Sequence, residues 1–252
     1  MARHLKLFDT TAQYNAYTAD TSNFITPNVS VAKDAPKTVY YHPYVDPYAG
    51  HDYVEIGGIK WATMNIGAND ITDAGLYFQW GDASGYTASQ VGSGSGQKAF
   101  NWEDYKYATN VSFMSATMTK YNSTDEKTVL DDDDDAAKAY WGGKWRMPTR
   151  SEFITFSYSV NTAWTTNYQD SGVAGVICTY KSDSSKVLFF PAGGGVGNSV
   201  ITEKNEACCY WSKTRYNSED NFAYLAYIMS DYRHWGVEQR RNAGNNIRAV
   251  AD

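Results

Sequence analysis

Large polar and aromatic side chains crowd the stretch between Trp211 and Ile247, where regular alternation of apolar and polar residues is lost. The chemistry such a mixture suits is recognition without reaction: rigid rings anchor a partner, and amides and guanidinium groups complete hydrogen bonds around them. The candidate ligand-binding set is Arg215, Tyr216, Asn217, Asp220, Asn221, Tyr232, Arg233, His234, Trp235, Arg240 and Asn242, with Arg241, Asn245 and Asn246 lying among them. The plainer reading of the same stretch is a solvated loop with an edge strand.

Groups suited to catalysis or metal binding are sparse. Asp131 to Asp135 invite a calcium reading, because Ca²⁺ takes about six to eight oxygen ligands. Consecutive residues rarely converge on one ion, however, and the run precedes Ala136-Ala137-Lys138-Ala139-Tyr140-Trp141, where carboxylates favour a helix N-terminus. Capping is therefore the expectation. His4, His42, His51 and His234 show neither His-x-x-x-His nor Cys-x-x-Cys spacing, so no metal and no cofactor is expected. Gly193-Gly194-Gly195-Val196-Gly197-Asn198-Ser199 lacks the lysine of a phosphate loop and reads as a glycine turn. Cys178, Cys208 and Cys209 cannot all pair within one chain and are expected to be reduced and packed. The adjacent Cys208-Cys209 distantly resemble the cysteine pair of formylglycine-generating enzymes, a likeness that would imply an oxidase whose turnover is lost on replacing either thiol, but side by side on a predicted strand they read as ordinary packing. Arg146, beside Trp145, is expected to stack on an indole or to pair internally.

The elements that must position these residues follow from pattern. The chain has 252 residues, 42% hydrophobic and 15% aromatic, enough for one main domain and an appendage. So much Tyr and Trp fits either a β-rich core or an adhesive surface. A net charge of −6 argues against nucleic acid as a partner. No apolar run reaches the roughly 20 residues of a membrane span, and Met1-Ala2-Arg3-His4-Leu5-Lys6 lacks a secretory signal, so synthesis in the cytoplasm without membrane insertion is expected. A capped helix is predicted at 9–17 and strands at 28–31 and 38–41, followed by a Pro/Gly boundary at Pro43, Pro47 and Gly50. Residues 1–50 thus form an attachment or oligomerisation element, and 51–252 the main domain. In the latter, 53–62 reads as a hairpin and 75–82 as a strand. Thr149-Arg150-Ser151-Glu152 reads as a capping box opening a helix that ends near 157–160. Strands are predicted over 173–180, 187–191, 207–212, 222–228 and 247–250. Helices followed by a strand-rich half make an α+β fold.

Trp141-Gly142-Gly143-Lys144-Trp145-Arg146-Met147-Pro148-Thr149-Arg150-Ser151-Glu152-Phe153 resembles the Fibrobacter major paralogous domain family, and three further segments agree in order: 54–65, 75–82, and Phe189-Phe190-Pro191-Ala192 with Tyr210-Trp211-Ser212. The resemblance covers roughly 53 to 250 and implies a C-type-lectin-like fold, in which a compact scaffold supports an irregular binding region. The ends of the 211–247 stretch, Trp211-Ser212-Lys213-Thr214 and Ile247-Arg248-Ala249-Val250, are similar to those of variable proteins of diversity-generating retroelements, departing from the usual pattern at Lys213 and Ala249. Template-adenine mutagenesis would make Asn217, Asp220, Asn221, Tyr232, Arg233 and His234 better diversified positions than Trp235, Lys213 or Glu238. Residues 5–41 are similar to leaders of virion proteins of phages of gut Bacteroidetes. The calcium-binding triplets of sugar-binding lectins are absent from the sequence.

These readings imply a non-enzymatic display protein of a virion surface that binds a bacterial cell-surface protein or glycan, with a virion attachment partner and homotrimerisation common in proteins of this kind. The alternative is a structural or accessory surface or virion protein, on the bacterial cell surface or in a phage, whose lectin-like domain has no variable ligand.

Overall fold

The computed structural model describes residues 46–112 and 114–252. The helix expected at 9–17 and the strands expected at 28–31 and 38–41 lie outside the described residues. The chain divides into two units, 1–50 and 51–252, and the second carries the elements that follow.

In chain order these are β1 (Tyr53–Ile56), β2 (Ile59–Ala62), β3 (Ala108–Thr109), β4 (Thr117–Met118), α1 (Ala136–Trp141), α2 (Arg150–Ser159), β5 (Val160–Thr165), β6 (Gly175–Tyr180), β7 (Val187–Pro191), β8 (Gly195–Gly197), β9 (Val200–Thr202), β10 (Cys208–Arg215), β11 (Phe222–Ile228), β12 (Arg233–Arg240) and β13 (Val250–Ala251). The architecture is mixed but sheet-rich: small antiparallel sheets ordered β1-β2-β13, β5-β6-β7 and β10-β11-β12, with the pairs β3-β4 and β8-β9.

The β1–β2 hairpin turns at Gly57 and Gly58, both at positive φ (63° and 83°), as a tight two-residue turn requires. At α2 the Thr149 hydroxyl accepts from the Glu152 amide while Glu152 accepts from the Thr149 amide, the reciprocal cap read from sequence. At α1, Asp135 accepts from the amides of Ala137 and Lys138 and also from Met147, so one carboxylate caps the helix and pins the following turn. α2 turns Phe153 and Phe156 onto Trp61, and Trp235, Phe190, Val176 and Tyr210 complete the core.

Several expectations are corrected. Residues 75–82 are not a strand. Tyr77 pairs with Tyr86, Phe78 with Asn245, and the Trp80 amide donates to Arg241, so the segment has no continuous partner. β5 follows α2 directly, because Val160-Asn161-Thr162-Ala163-Trp164-Thr165 finds a full register against β6. Of 247–250, only Val250 enters a strand. Arg146 pairs internally, the second of the two roles expected of it: its guanidinium meets both oxygens of Glu152 (2.7 and 2.8 Å) and reaches Asp252. The three cysteines are free and buried.

Candidate binding surface

Within 211–247 the strand expected at 222–228 forms, β10 runs on to Arg215 and an unexpected strand, β12, joins them, so the stretch is largely sheet. β11 pairs with β10 on one side and β12 on the other, and Phe222 to Ile228 alternate across it. Alternation sends successive side chains to opposite faces. Ala226 and Ile228 enter the core beneath α2, and Phe222 and Tyr224 lie on that same face. Leu225 and Tyr227 lie on the other, opposite Val237 and His234. One extra residue in β12 at Trp235-Gly236 resets its phase, turning Trp235 inward.

The candidate residues are therefore distributed over two faces. On the α2 face the Tyr216 ring stands edge-on to Phe222 and Tyr224, and the Arg150 guanidinium lies 4.3 Å over the Tyr224 ring. On the opposite face Tyr232 stacks beside His234 and meets Tyr227 edge-on. The Tyr227 hydroxyl donates to Glu203 (2.9 Å), and burial, reinforced by that carboxylate, holds the phenol above its usual pKa. Tyr232 is 46% exposed, and Asn217, Arg233 and His234 are exposed too.

Other members of the set work inside the molecule. Trp235, 8% exposed, packs on Phe153, Phe156 and Phe190, so it is a core residue and not a contact for a ligand. Arg215 is buried against the Asp220 carboxylate, which also accepts from the amide and hydroxyl of Ser123. Asn221 Oδ1 accepts from the Ala116 amide, holding the 116–124 loop against the sheet. Asn242 is buried and its carbonyl accepts from Gln79 Nε2. Arg240 is half-buried, its guanidinium near Met114 Sδ.

Arg241 and Arg248 were not singled out as structural from sequence, yet both are fully buried. Arg241 lies 4.6 Å over the Trp80 ring and donates to the carbonyls of Tyr121, Asp220 and Lys120 and to the Tyr105 hydroxyl. Arg248 donates to the carbonyls of Ala62, Thr63 and Phe189 and to Asn65 Oδ1, over the Phe190 ring. Nothing local in sequence distinguishes these arginines from exposed ones, because their acceptors come from distant segments. The Phe222-x-Tyr224 alternation, by contrast, was available to a period-two reading.

Among the described residues no group of three or more His, Cys, Asp or Glu side chains stands together to hold a metal ion. Burial pushes the thiols of Cys178, Cys208 and Cys209 well above the ordinary cysteine range. Among the described residues no helix is long and apolar enough to cross a membrane. No family model, curated protein or solved structure gives a match to the chain.

Proposed function

We propose that this chain is a non-enzymatic recognition protein with a C-type-lectin-like fold, binding a bacterial cell-surface protein or glycan through exposed side chains of the 211–247 stretch. The observation that carries this reading is the division of labour within the stretch. Trp211, Arg215, Leu225, Ile228, Trp235 and Arg241 are buried and fasten the backbone, while Asn217, Tyr232, Arg233 and His234 are exposed on it. A backbone held by its buried members lets exposed ones be exchanged with little loss of stability, and preorganisation lowers the ordering cost of binding. That arrangement suits a display protein whose exposed positions vary, as in retroelement-diversified proteins of phages. Attachment to a virion and trimerisation are assigned in the same reading to residues 1–50.

The test is adsorption of the purified full chain to a panel of intact gut-bacterial cells. Tyr232→Ser with Arg233→Ala and His234→Ala should reduce binding at least tenfold with unchanged melting, and Tyr158→Ser, at a 76% exposed site on α2, should bind as wild type. Tyr216→Ser with Asn217→Ala asks whether the α2 face contributes. Equal binding by all variants would move recognition off this stretch. No adsorption to any cell would overturn the reading in favour of a structural role.

A further inference from the structure

A strand at the rim of a sheet presents a row of backbone N–H and C=O groups, and folded chains cover, charge or bend such a rim to keep it from pairing with a neighbour. In the sheet β5-β6-β7, the β7 rim is covered: the Phe189 carbonyl accepts from Arg248 and the Pro191 carbonyl from the Tyr210 hydroxyl. β12, at the rim of β10-β11-β12, is charged and bent. It carries Arg233, Glu238 and Arg240, bulges at Trp235-Gly236, and has its Gly236 carbonyl engaged by Arg150 Nε at 3.2 Å. β5 has none of these protections. Val160-Asn161-Thr162-Ala163-Trp164-Thr165 contains no charged residue and no proline, and it runs against β6 in unbroken register.

The pairing of β6 fixes which groups of β5 face outward. The Tyr180 amide donates to Lys186 and the Ala174 carbonyl accepts from Ala192, so alternate residues from Ala174 to Tyr180 turn their backbone groups toward β7. Gly175, Ile177 and Thr179 therefore turn theirs toward Thr165, Ala163 and Asn161, which leaves the N–H and C=O of Thr162 and Trp164 pointing away from the sheet. Among the described residues, nothing outside the sheet hydrogen-bonds to the backbone of Thr162 or Trp164. Val160 is 3% exposed, so the rim is closed at its start, and it opens from Asn161, where Asn161 and Ala163 are exposed and Thr162, Trp164 and Thr165 half-buried.

From this geometry we infer that β5 is an interaction edge whose partner is β5 of a second copy of this chain, joined antiparallel about a two-fold axis through Ala163. The strand is complementary to itself in that register. Thr162 of one copy meets Trp164 of the other and exchanges backbone hydrogen bonds with it in both directions, which engages every open group of the two residues. Ala163 meets Ala163 at a position without hydrogen bonds, where Cα atoms approach to about 4.5 Å and two methyl groups fit without a clash. Asn161 meets Thr165, amide beside hydroxyl, and no like charges stand opposite each other at any position. A contact of this kind uses the same patch on both copies and closes after two, so it does not propagate into a fibre.

The experiment follows the full chain by sedimentation velocity from micromolar to millimolar concentration, with amide exchange read at both ends of the range. The mass should double with concentration, above any association set by residues 1–50. The amides of Thr162 and Trp164 should gain protection at the high end, while those of Asn161 and Ala163, already bonded to β6, stay as they were. Ala163→Lys places like charges face to face on the axis and should abolish the doubling with unchanged melting, and Ala163→Glu alone should do the same. Mixing the two variants should restore it, because a lysine then meets a glutamate across the axis, and this rescue also shows that both variants are folded. Three outcomes would overturn the inference: a wild-type mass that does not change with concentration, doubling that survives Ala163→Lys, or a mixture of the two variants that does not associate. The first would leave the edge to an extended segment of some other chain.

Discussion

Asp134 receives Lys106 Nζ at 2.8 Å, Lys120 Nζ at 2.6 Å and the Tyr121 hydroxyl, joining the 105–121 segment to the turn before α1. Burial alone would raise its pKa, but these donors outweigh it and hold the carboxyl well below its usual value. A depressed folded pKa means the unfolded chain takes up the proton first, so the contribution is complete above the unfolded value of about 3.9 and is lost as pH falls toward the folded one. Urea unfolding of wild type and Asp134→Asn should therefore differ most near neutral pH, with wild type more stable, and the gap should narrow steadily as pH falls below about 4. A gap independent of pH would mean that shape, not charge, holds the site. The same cluster shows the reach of a sequence reading at this scale. The pentad was expected to cap a helix, and Asp135 does so, but Asp134 serves lysines that no local spacing could assign to it.

At the scale of elements, the α2 cap was legible because its partners lie within one turn. Thr149→Ala removes the hydroxyl that accepts from Glu152 N–H and should cost about 1 kcal/mol, measured by chemical denaturation. Thr149→Ser should recover most of it, and a Thr149→Ala variant as stable as wild type would show that core contacts of Phe153 and Phe156 alone set the helix. The strand β12 was not legible. Its Trp235-Gly236 bulge breaks the period-two pattern, so Arg233 to Arg240 looks irregular in sequence although pairing with β11 runs through most of it. That one displaced residue decides which side chains of the candidate set face solvent, since it turns Trp235 into the core while His234 stays exposed.

At the scale of the whole domain, β13 closes the chain by pairing Val250 with Trp61 and Ala251 with Lys60. Arg248 secures the junction from inside, satisfying four acceptors drawn from residues 62–65 and from Phe189. Its burial pulls the guanidinium pKa down, and the acceptors would be stranded without it. Arg248→Met should destabilise the domain by about 3 kcal/mol or more, read as a fall in melting temperature and a loss of amide-exchange protection at Trp61 and Val250. A loss of protection confined to β13, with melting unchanged, would show that closure is a local event.

By itself the sequence determined the mixed helix-and-strand character, the β1–β2 hairpin, both helix caps and most of the strands around the core. Each of these depends on residues within a few positions of one another: a glycine pair at positive φ, a reciprocal Thr/Glu cap, an apolar alternation. Only the tertiary structure decided that the 211–247 stretch is split over two faces, that Arg241 and Arg248 are internal clamps, and that β5 is left at an open sheet edge. Those outcomes depend on strand register and on hydrogen-bond acceptors brought from tens of residues away, and neither is written in local composition.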